Sequence, residues 1–542
     1  MSEPVREVVC RGVAASPGLV LGRIVLHHAT RHARRQAGPP EDERRALEGA
    51  LAVAARQLGE LMSSSDDMAA EILEFQLALL EDEDLLGPVF AMLAEGTSAD
   101  QAWSSVLDRE IADYEAMDDP TFRARAADLV DLRDRVLDAL LPVDDADGTV
   151  ILDDGILVAD DLTPSRFLET DWRRFRGAAL RRGSAAGHVA LLARARGTPL
   201  VVGLGDAIDS LREGALAVLD AEVGRLIVDP LPSTLERTET RRARRATLAA
   251  RAQELIDRPA VTASGEPVAV LINVDDPGLL EHLDPAHCDG IGLTRTEFLF
   301  QGAALPDEER QYRIYRRILD WADGRKVVIR TLDAGGDKPV AGLTPEGEGN
   351  PFLGLRGIRL SLARPEVLRT QLRALARAAA HGLLAVMVPM VTVPAELDTV
   401  RDMLGDVMRE LAEAGVNAAM PALGMMVEAP AAALDAAAFA ADFFSIGSND
   451  LIQYVMAASR DNPAVAGLYQ PRHPAVLELI RRVVDVGKAR GIEVSLCGDM
   501  ASDPDLVPLL LDLGLRQLSV APASIGAVKL AIAGWRPGDA HG

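Results

Sequence analysis

Several polar side chains in the second half of this 542-residue chain stand where an apolar run gives out. Asn273 closes AVLIN, Arg295 and Glu297 follow GIGLT, Arg330 and Asp333 lie in VVIRTLD, Glu428 ends LGMMVE, and Cys497 ends EVSLC. FFSIG is followed by Ser448, Asn449 and Asp450 and, one helical stretch later, by Arg460. Arg356 and Arg359 follow Asn350-Pro351-Phe352. A guanidinium is a planar, permanently charged fork that matches phosphate and carboxylate. Two carboxylates, Glu428 and Asp450, with an anionic substrate completing the shell, suit Mg²⁺, which takes few protein ligands beside substrate phosphate. A thiol with its ordinary pKa of about 8.5 is mainly protonated at pH 7, so Cys497 can donate a proton. Each position alone has a plainer explanation, as a turn former at a strand end or, for Cys497, as a small buried hydrophobe. Together they describe the rim of an anion and metal site.

For these groups to converge, the runs that carry them must lie side by side and point the same way. From Pro267 on, eight strand-like runs alternate with helical patterns: 269–273, 290–293, 327–333, 383–391, 423–428, 443–448, 493–498 and 517–521. Eight strands with intervening helices is the count of a (β/α)8 TIM barrel, whose chemistry sits at the C-terminal strand ends. The first half has another rhythm. Residues 7–30 hold short β-branched runs punctuated by Gly12, Pro17, Gly18 and Gly22, which reads as two strands and a turn. From Pro40 to Leu141 apolar residues recur at helical spacing, as in Ile72, Phe75, Leu79 and Leu80, and a bundle of about four helices is expected. Strand-like runs return at 150–162, 177–180, 199–205 and 215–230. Pairing them with the first 30 residues gives an α/β domain split by the inserted helical bundle. Residues 234–255 are charged, helical and free of turn residues, as a linker between two halves would be.

The formal net charge of -25 argues against a nucleic-acid-binding protein, so an anionic substrate must be captured by a local arginine cluster. Nearly half the residues are apolar, at 48%, enough for several cores. Three scattered cysteines, Cys10, Cys288 and Cys497, suggest neither a disulfide framework nor a zinc site. The N-terminal stretch lacks an apolar signal region and no long uninterrupted apolar run follows, so no membrane insertion and a cytoplasmic location are expected.

The motifs DGIGLTRTEFLF, VVIRTLDAGGDKP, NPFLGLRGIRL, MVEAPAA, FFSIGSNDLIQYVMAASRDN and SLCGDMASDP resemble the phosphoenolpyruvate (PEP)-binding barrel of the Enzyme I family of the phosphotransferase system. Pyruvate phosphate dikinase and PEP synthase share that barrel, but both need an ATP-binding domain that no segment here supplies. GVAASPGLVLG is similar to the family's opening segment. The resemblance implies that Arg295, Arg330, Asn449 and Arg460 hold the phosphate and carboxylate of PEP, that Arg356 is a further active-site arginine, that Glu428 and Asp450 hold Mg²⁺, and that Cys497 protonates the enolate as pyruvate leaves.

A phosphoryl group also needs an acceptor. His188 follows the small-residue loop Gly183-Ser184-Ala185-Ala186-Gly187 and opens the apolar helix VALLARARG. A helix N-terminus offers free N–H groups to a phosphoryl group, and an imidazole is a competent nucleophile. The segment is similar to the family's phosphohistidine domain, with LTPS upstream and LLARARGTPLVVG downstream. It departs from the family's Gly-Gly-x-Thr-Ser-His-Thr pattern, because Ala186, Gly187 and Val189 replace the flanking hydroxyls. Ser184 and backbone N–H groups can compensate, and Arg181 and Arg182 add positive charge.

The expected architecture is thus multidomain α/β. Residues 1–30 and 143–230 form a swivelling α/β phosphohistidine domain, and residues 31–142 an inserted helical bundle that binds the carrier. Residues 231–260 form a helical linker, and residues 261–542 a C-terminal TIM barrel that binds PEP and dimerises. The implied activity is PEP-dependent autophosphorylation of His188 with release of pyruvate, then transfer to a histidine of an HPr-type phosphocarrier protein. The acidic run Glu81, Asp82, Glu83 and Asp84 is either a solvated helix end or a docking surface for that small basic partner. Two other expectations stay open: a regulatory paralogue that senses PEP with little or no carrier phosphorylation, and an Enzyme I paralogue serving nitrogen regulation or dihydroxyacetone phosphorylation.

Overall fold

The computed structural model describes residues 7–27, 34–63, 67–116, 120–141, 154–185, 187–300, 304–336, 338–345, 347–459 and 465–538. The chain divides into two compact units, Met1–Arg244 and Arg245–Gly542.

The first unit opens with β1 (Val8–Arg11), β2 (Val13–Ser16) and β3 (Leu19–His27). Five helices follow: α1 (Pro40–Ser63), α2 (Asp67–Leu79), α3 (Glu83–Ala94), α4 (Ala99–Glu115) and α5 (Pro120–Leu140). The chain then returns through β4 (Gly155–Ala159), α6 (Pro164–Glu169), β5 (Phe175–Leu180), α7 (His188–Ala195), β6 (Leu200–Val202), β7 (Leu216–Asp220) and β8 (Arg225–Val228). All eight strands form one sheet in the order β1-β8-β7-β3-β4-β5-β6-β2. Its centre, β3-β4-β5-β6, is parallel, and its flanks are antiparallel.

Two expectations for this unit change. The described part of 7–30 makes three strands, because the chain breaks at Gly12 as well as at Pro17-Gly18. A Cβ at Gly12 would lie 2.4 Å from the carbonyl oxygen of Val202, so only glycine permits that approach. The break sends β1 and β2 to opposite edges of the sheet, which must therefore curl until its edges meet. The run 215–230 is two strands and a tight turn, since its apolar residues continue across the hairpin of β7 and β8. Residues 150–153 of the run expected at 150–162 lie outside the described residues.

The bundle is held by helical stripes. In α1, Leu47, Ala50, Ala54 and Leu58 are buried at helical spacing. Trp103 of α4 is fully buried and donates its ring N–H to the carbonyl of Arg133 on α5 at 3.1 Å. α4 has no side-chain cap from Ser98. Glu43 of α1 does that work, accepting from the N–H of Ala99 at 2.8 Å and of Gly38 at 3.0 Å.

After α8 (Pro232–Leu255), the second unit is a closed parallel barrel. Its strands are β9 (Ala269–Val274), β10 (Gly290–Thr294), β11 (Lys326–Arg330), β12 (Leu384–Val388), β13 (Ala422–Val427), β14 (Phe443–Gly447), β15 (Glu493–Cys497) and β16 (Gln517–Val520). These are the eight expected runs. Leu293, Val328, Ala385, Met387, Met426, Phe443 and Cys497 fill the barrel interior, and a larger apolar layer packs the strands on the outer helices. Those helices are α9 (Glu308–Ala322), α10 (Ile358–Ala363), α11 (Pro365–Ala379), α12 (Pro394–Glu413), α13 (Pro430–Leu434), α14 (Ser448–Met456), α15 (Pro474–Arg490), α16 (Asp499–Ser502), α17 (Val507–Asp512) and α18 (Ile525–Gly534).

Two strands stop short of their apolar runs. β11 ends at Arg330 and β12 at Val388, and the next residues turn over the barrel mouth. Met390 adopts φ 58°, and its N–H is held by Glu428 Oε1 at 2.6 Å. Among the described residues no helix is long and apolar enough to cross a membrane.

Candidate active site

At the C-terminal mouth of the barrel, Arg295, Arg330, Arg356, Glu428, Asn449, Asp450 and Cys497 line one cleft. Arg460 lies outside the described residues. Parallel pairing explains the convergence: the last residues of β11, β13, β14 and β15 all face the same opening.

Asp333 is the hub. It is fully buried and lies 3.0 Å from both Arg330 Nη1 and Arg356 Nη2. Arg330 also donates to Glu297 Oε1 at 2.8 Å, and the same oxygen accepts the N–H of Asp333 at 3.1 Å. Arg356 donates to Asp333 Oδ1 at 3.1 Å, to Asp450 Oδ2 at 2.8 Å and to the Tyr454 hydroxyl at 3.3 Å. Arg356 reaches this position because the loop before α10 folds back at Gly357 (φ 57°), where a Cβ would sit 2.9 Å from that of Met390.

Burial opposes charge on Arg330, Asp333, Arg356 and Glu428, and the neighbours decide the outcome. For Arg330 burial favours loss of the proton, but Glu297 and Asp333 outweigh it and hold the guanidinium charged. For Asp333 the two arginines overcome burial and push the carboxyl far below its usual range. Glu428 goes the other way: burial and then the charges of Asp450 and Asp333 push its pKa up. Burial also pushes the Cys497 thiol up to about 11, so it is protonated at neutral pH.

Arg295 is anchored to Asp275 at 2.9 Å, and its buried Nε has no acceptor among the described residues. Asn449 Oδ1 accepts the N–H of Asp499 at 2.9 Å, which leaves the amide NH₂ end for a ligand. Arg359 does not line the cleft; it donates to the carbonyls of Leu353 and Gly354 and to Thr392 Oγ1. Lys338 lines the cleft and was not among the expected residues. Burial, with Arg330 beside it, lowers its pKa. Its sequence signal, a lysine in a glycine-rich loop after a strand, exists but is common.

The donor set fits a hard divalent cation. Glu428 and Asp450 offer only oxygens, and an ion between them would offset the repulsion that drives Glu428 toward its protonated form. Among the described residues no group of three or more metal-ligating side chains occurs. Two carboxylates therefore leave coordination positions to substrate and water.

In the first unit His188 is the first residue of α7, after the extended Gly187. Its Nδ1 lies 3.0 Å from Asp128 Oδ1 on α5, so the bundle meets α7 at this pair. Asp128 is fully buried, and its Oδ2 has no hydrogen-bond partner among the described residues. Burial raises the Asp128 pKa, against the pull of the His188 hydrogen bond. The ring stands on the wall of a cavity of about 1220 Å³, which Asp131, Asp134, Asp161 and Arg182 also line. Arg181 is turned away into Asp160, Asp206 and Asp209. Ala186 lies outside the described residues. Asp128 escaped the sequence reading. Glu81, Asp82, Glu83 and Asp84 are exposed; the first two lie between α2 and α3, the last two open α3, and Asp82 caps α3 by accepting the N–H of Asp84 at 2.9 Å.

The chain matches three families along its length. Residues 249–536 match PEP-utilising enzyme, PEP-binding domain; residues 11–125 match PEP-utilising enzyme, N-terminal; residues 151–224 match PEP-utilising enzyme, mobile domain. It is 38% identical over 537 residues to a phosphoenolpyruvate-protein phosphotransferase of Geobacillus stearothermophilus, covering 97% of this chain and 93% of that one. Proteins of the same name from Listeria innocua and Enterococcus faecalis are 36% and 35% identical, each covering 95% of this chain and 92% of the relative. The three matched families, in order along one chain, and this identity over nearly its whole length place it among the phosphoenolpyruvate-protein phosphotransferases, a transferase family of PEP-utilising enzymes.

Proposed function

We propose that the barrel cleft binds PEP, that His188 Nε2 takes its phosphoryl group, that pyruvate is released, and that the phosphoryl group passes to a histidine of an HPr-type carrier protein. The observation that carries this reading is the cleft. Arg295, Arg330 and Arg356 surround a space that also holds a protonated thiol and two metal-suited carboxylates. Phosphoryl transfer calls chiefly for positioning and for positive charge around the moving group.

In this reading Arg295, Arg330, Asn449 and Arg460 hold the phosphate and carboxylate of PEP, and Arg356 keeps Asp333 and Asp450 in register. Glu428 and Asp450 hold Mg²⁺, which when bound neutralises phosphate charge. Asp128 accepts a hydrogen bond from His188 Nδ1–H, so the lone pair on Nε2 is left to attack phosphorus. As the P–O bond to the enol oxygen breaks, Cys497 protonates the enolate carbon. The domain carrying His188 swivels, because one imidazole must meet PEP and later the carrier. The exposed acidic run at 81–84 is the proposed docking surface for a basic carrier. A homodimer through the barrel and a cytoplasmic location complete the reading.

Incubation with labelled PEP and Mg²⁺ tests it. Acid-labile, base-stable label is expected on the protein, and it passes on to an added HPr-type carrier. If His188→Ala takes up the same label, the acceptor is another residue. A second reading, a PEP sensor that does not phosphorylate a carrier, is favoured by the sequence around His188, where Ala186, Gly187 and Val189 replace the flanking hydroxyls. PEP-dependent stabilisation without pyruvate release in the presence of the carrier would establish it.

A further inference from the structure

Delivering a proton from Cys497 leaves a negative charge in a closed apolar layer of the barrel. Leu293, Val328, Ala385, Met387, Met426 and Phe443 share that layer. Buried serines interrupt it, and one of them, Ser445, reaches the sulphur. Ser445 lies on β14 next to β15, two residues before Gly447, which pairs with Cys497. Residues two apart on a strand face the same way, so Ser445 enters the barrel interior just below the cleft. It is fully buried. Its Oγ donates to Cys497 Sγ at 3.7 Å, the one hydrogen bond onto that sulphur among the described residues. The thiol in turn donates to the carbonyl oxygen of Ile446 at 3.5 Å. Ser448 Oγ fixes the backbone by donating to the carbonyl of Cys497 at 2.7 Å.

These contacts have unequal fates when the thiol reacts. The Ile446 carbonyl is an acceptor, so the thiol's bond to it exists only while the proton is on sulphur. The Ser445 hydroxyl is a donor, and its bond to sulphur strengthens as sulphur becomes anionic.

We propose that Ser445 is a positioning residue for proton transfer: its hydroxyl holds Cys497 Sγ at the floor of the cleft and stabilises the thiolate formed when the proton moves to the enolate carbon. The inference rests on the proposed PEP chemistry. In the step, the S–H bond breaks and its electron pair stays on sulphur. The enolate π pair forms the new C–H bond while the oxygen pair closes the carbonyl, and the thiolate recovers its proton from water. Burial pushes the thiol upward, and the Ser445 hydrogen bond is the largest influence opposing it.

The test uses the full chain with Mg²⁺ and labelled PEP in rapid quench, reading label on protein and pyruvate in the same samples. For Ser445→Ala, label uptake is expected to stay within about twofold of the unsubstituted protein, while pyruvate formation slows about tenfold, the loss expected for a hydrogen bond to a charged group. Ser445→Thr, which keeps a hydroxyl, restores pyruvate formation. Ser445→Cys keeps the volume with a weaker donor and carries the same test if the alanine variant does not fold. Equal slowing of both readouts, or no slowing of either, overturns the proposal. Cys497→Ala is the control: if it forms pyruvate at the unsubstituted rate, or if the unsubstituted protein takes up no label, it is the PEP reading that has failed.

Discussion

The two polar centres of this molecule are built on opposite plans. At the barrel mouth, Glu297, Arg330, Asp333, Arg356 and Asp450 form a continuous chain of ion pairs around a narrow cleft, and almost every charge has a fixed partner. At the start of α7, one imidazole is tied through one nitrogen to one carboxylate, and the rest of the ring faces a cavity of about 1220 Å³. On the proposed function each plan suits a different demand. A site that breaks a bond gains from charges aimed in advance, since none has to reorganise during reaction. A group that must meet two partners in turn has to stay accessible, and only its tautomer and direction can be set beforehand.

The comparison can be broken first at the barrel. Arg356→Met leaves Asp333 and Asp450 short of a partner in a buried place, so stability should fall by about 3–5 kcal/mol and kcat/KM for pyruvate formation by about 10³-fold. Urea unfolding and a pyruvate assay read the two losses; unchanged kcat/KM in a folded variant would mean the ion-pair chain is not pre-organising the cleft. At the histidine, Asp128→Asn keeps the shape but not the charge. Label uptake should fall roughly 10²-fold, a loss of tautomer control, while PEP binding, measured by calorimetry, is unchanged. A variant as fast as the parent would show that the pair is only a packing contact.

A gentler probe is pH. With its thiol pushed up to about 11, Cys497 keeps its proton through the neutral range and beyond. Pyruvate formation should therefore show no alkaline loss assignable to the thiol between pH 7 and about 9, whereas an ordinary thiol of about 8.5 would be more than half lost by pH 9. A pH–rate profile with Cys497→Ser alongside distinguishes them.

The smallest effect concerns the bundle that carries Asp128. Burial tends to raise the Glu43 pKa, but the N–H groups of Ala99 and Gly38 and the charge of Arg35 hold it below its ordinary 4.5. A depressed folded-state pKa adds stability that is present above the ordinary value and is lost as pH falls through the folded one. Glu43→Gln should cost about 1–2 kcal/mol at pH 7, with the difference from the parent shrinking below about pH 4.5. Equal chemical denaturation midpoints at pH 7 would contradict the capping role.

Much of the barrel was legible because its strands are buried on both sides. Runs such as Leu384–Val388, all five residues buried, are apolar throughout, and polar residues mark where they end. What escaped was local. The expected strand at 327–333 gave way after Arg330, and the one at 383–391 after Val388, because polar partners hold Asp333 and Met390 in turns that an apolar pattern does not record. The first 30 residues hid a third strand because a single glycine, Gly12, sends its two neighbours to opposite edges of a sheet, and that requirement comes from Val202, nearly two hundred residues away.

Asp128 shows the limit most clearly. With Asp131 and Arg135 it stands at i, i+3 and i+7 on α5, the pattern of a solvated charged stripe, while Leu129, Leu132 and Val136 make the obvious buried one. Both stripes are buried, because Ser165 and Glu169 of α6 and His188 of α7 lie against the charged one. Sequence alone determined which side chains could do chemistry and that eight parallel strands would gather seven of them at one mouth, since strand ends and residue types are local properties. Tertiary structure alone decided which charges became partners, which carboxylate would rather keep its proton, and which acid would hold the histidine, because burial and distance belong to residues that the chain keeps far apart.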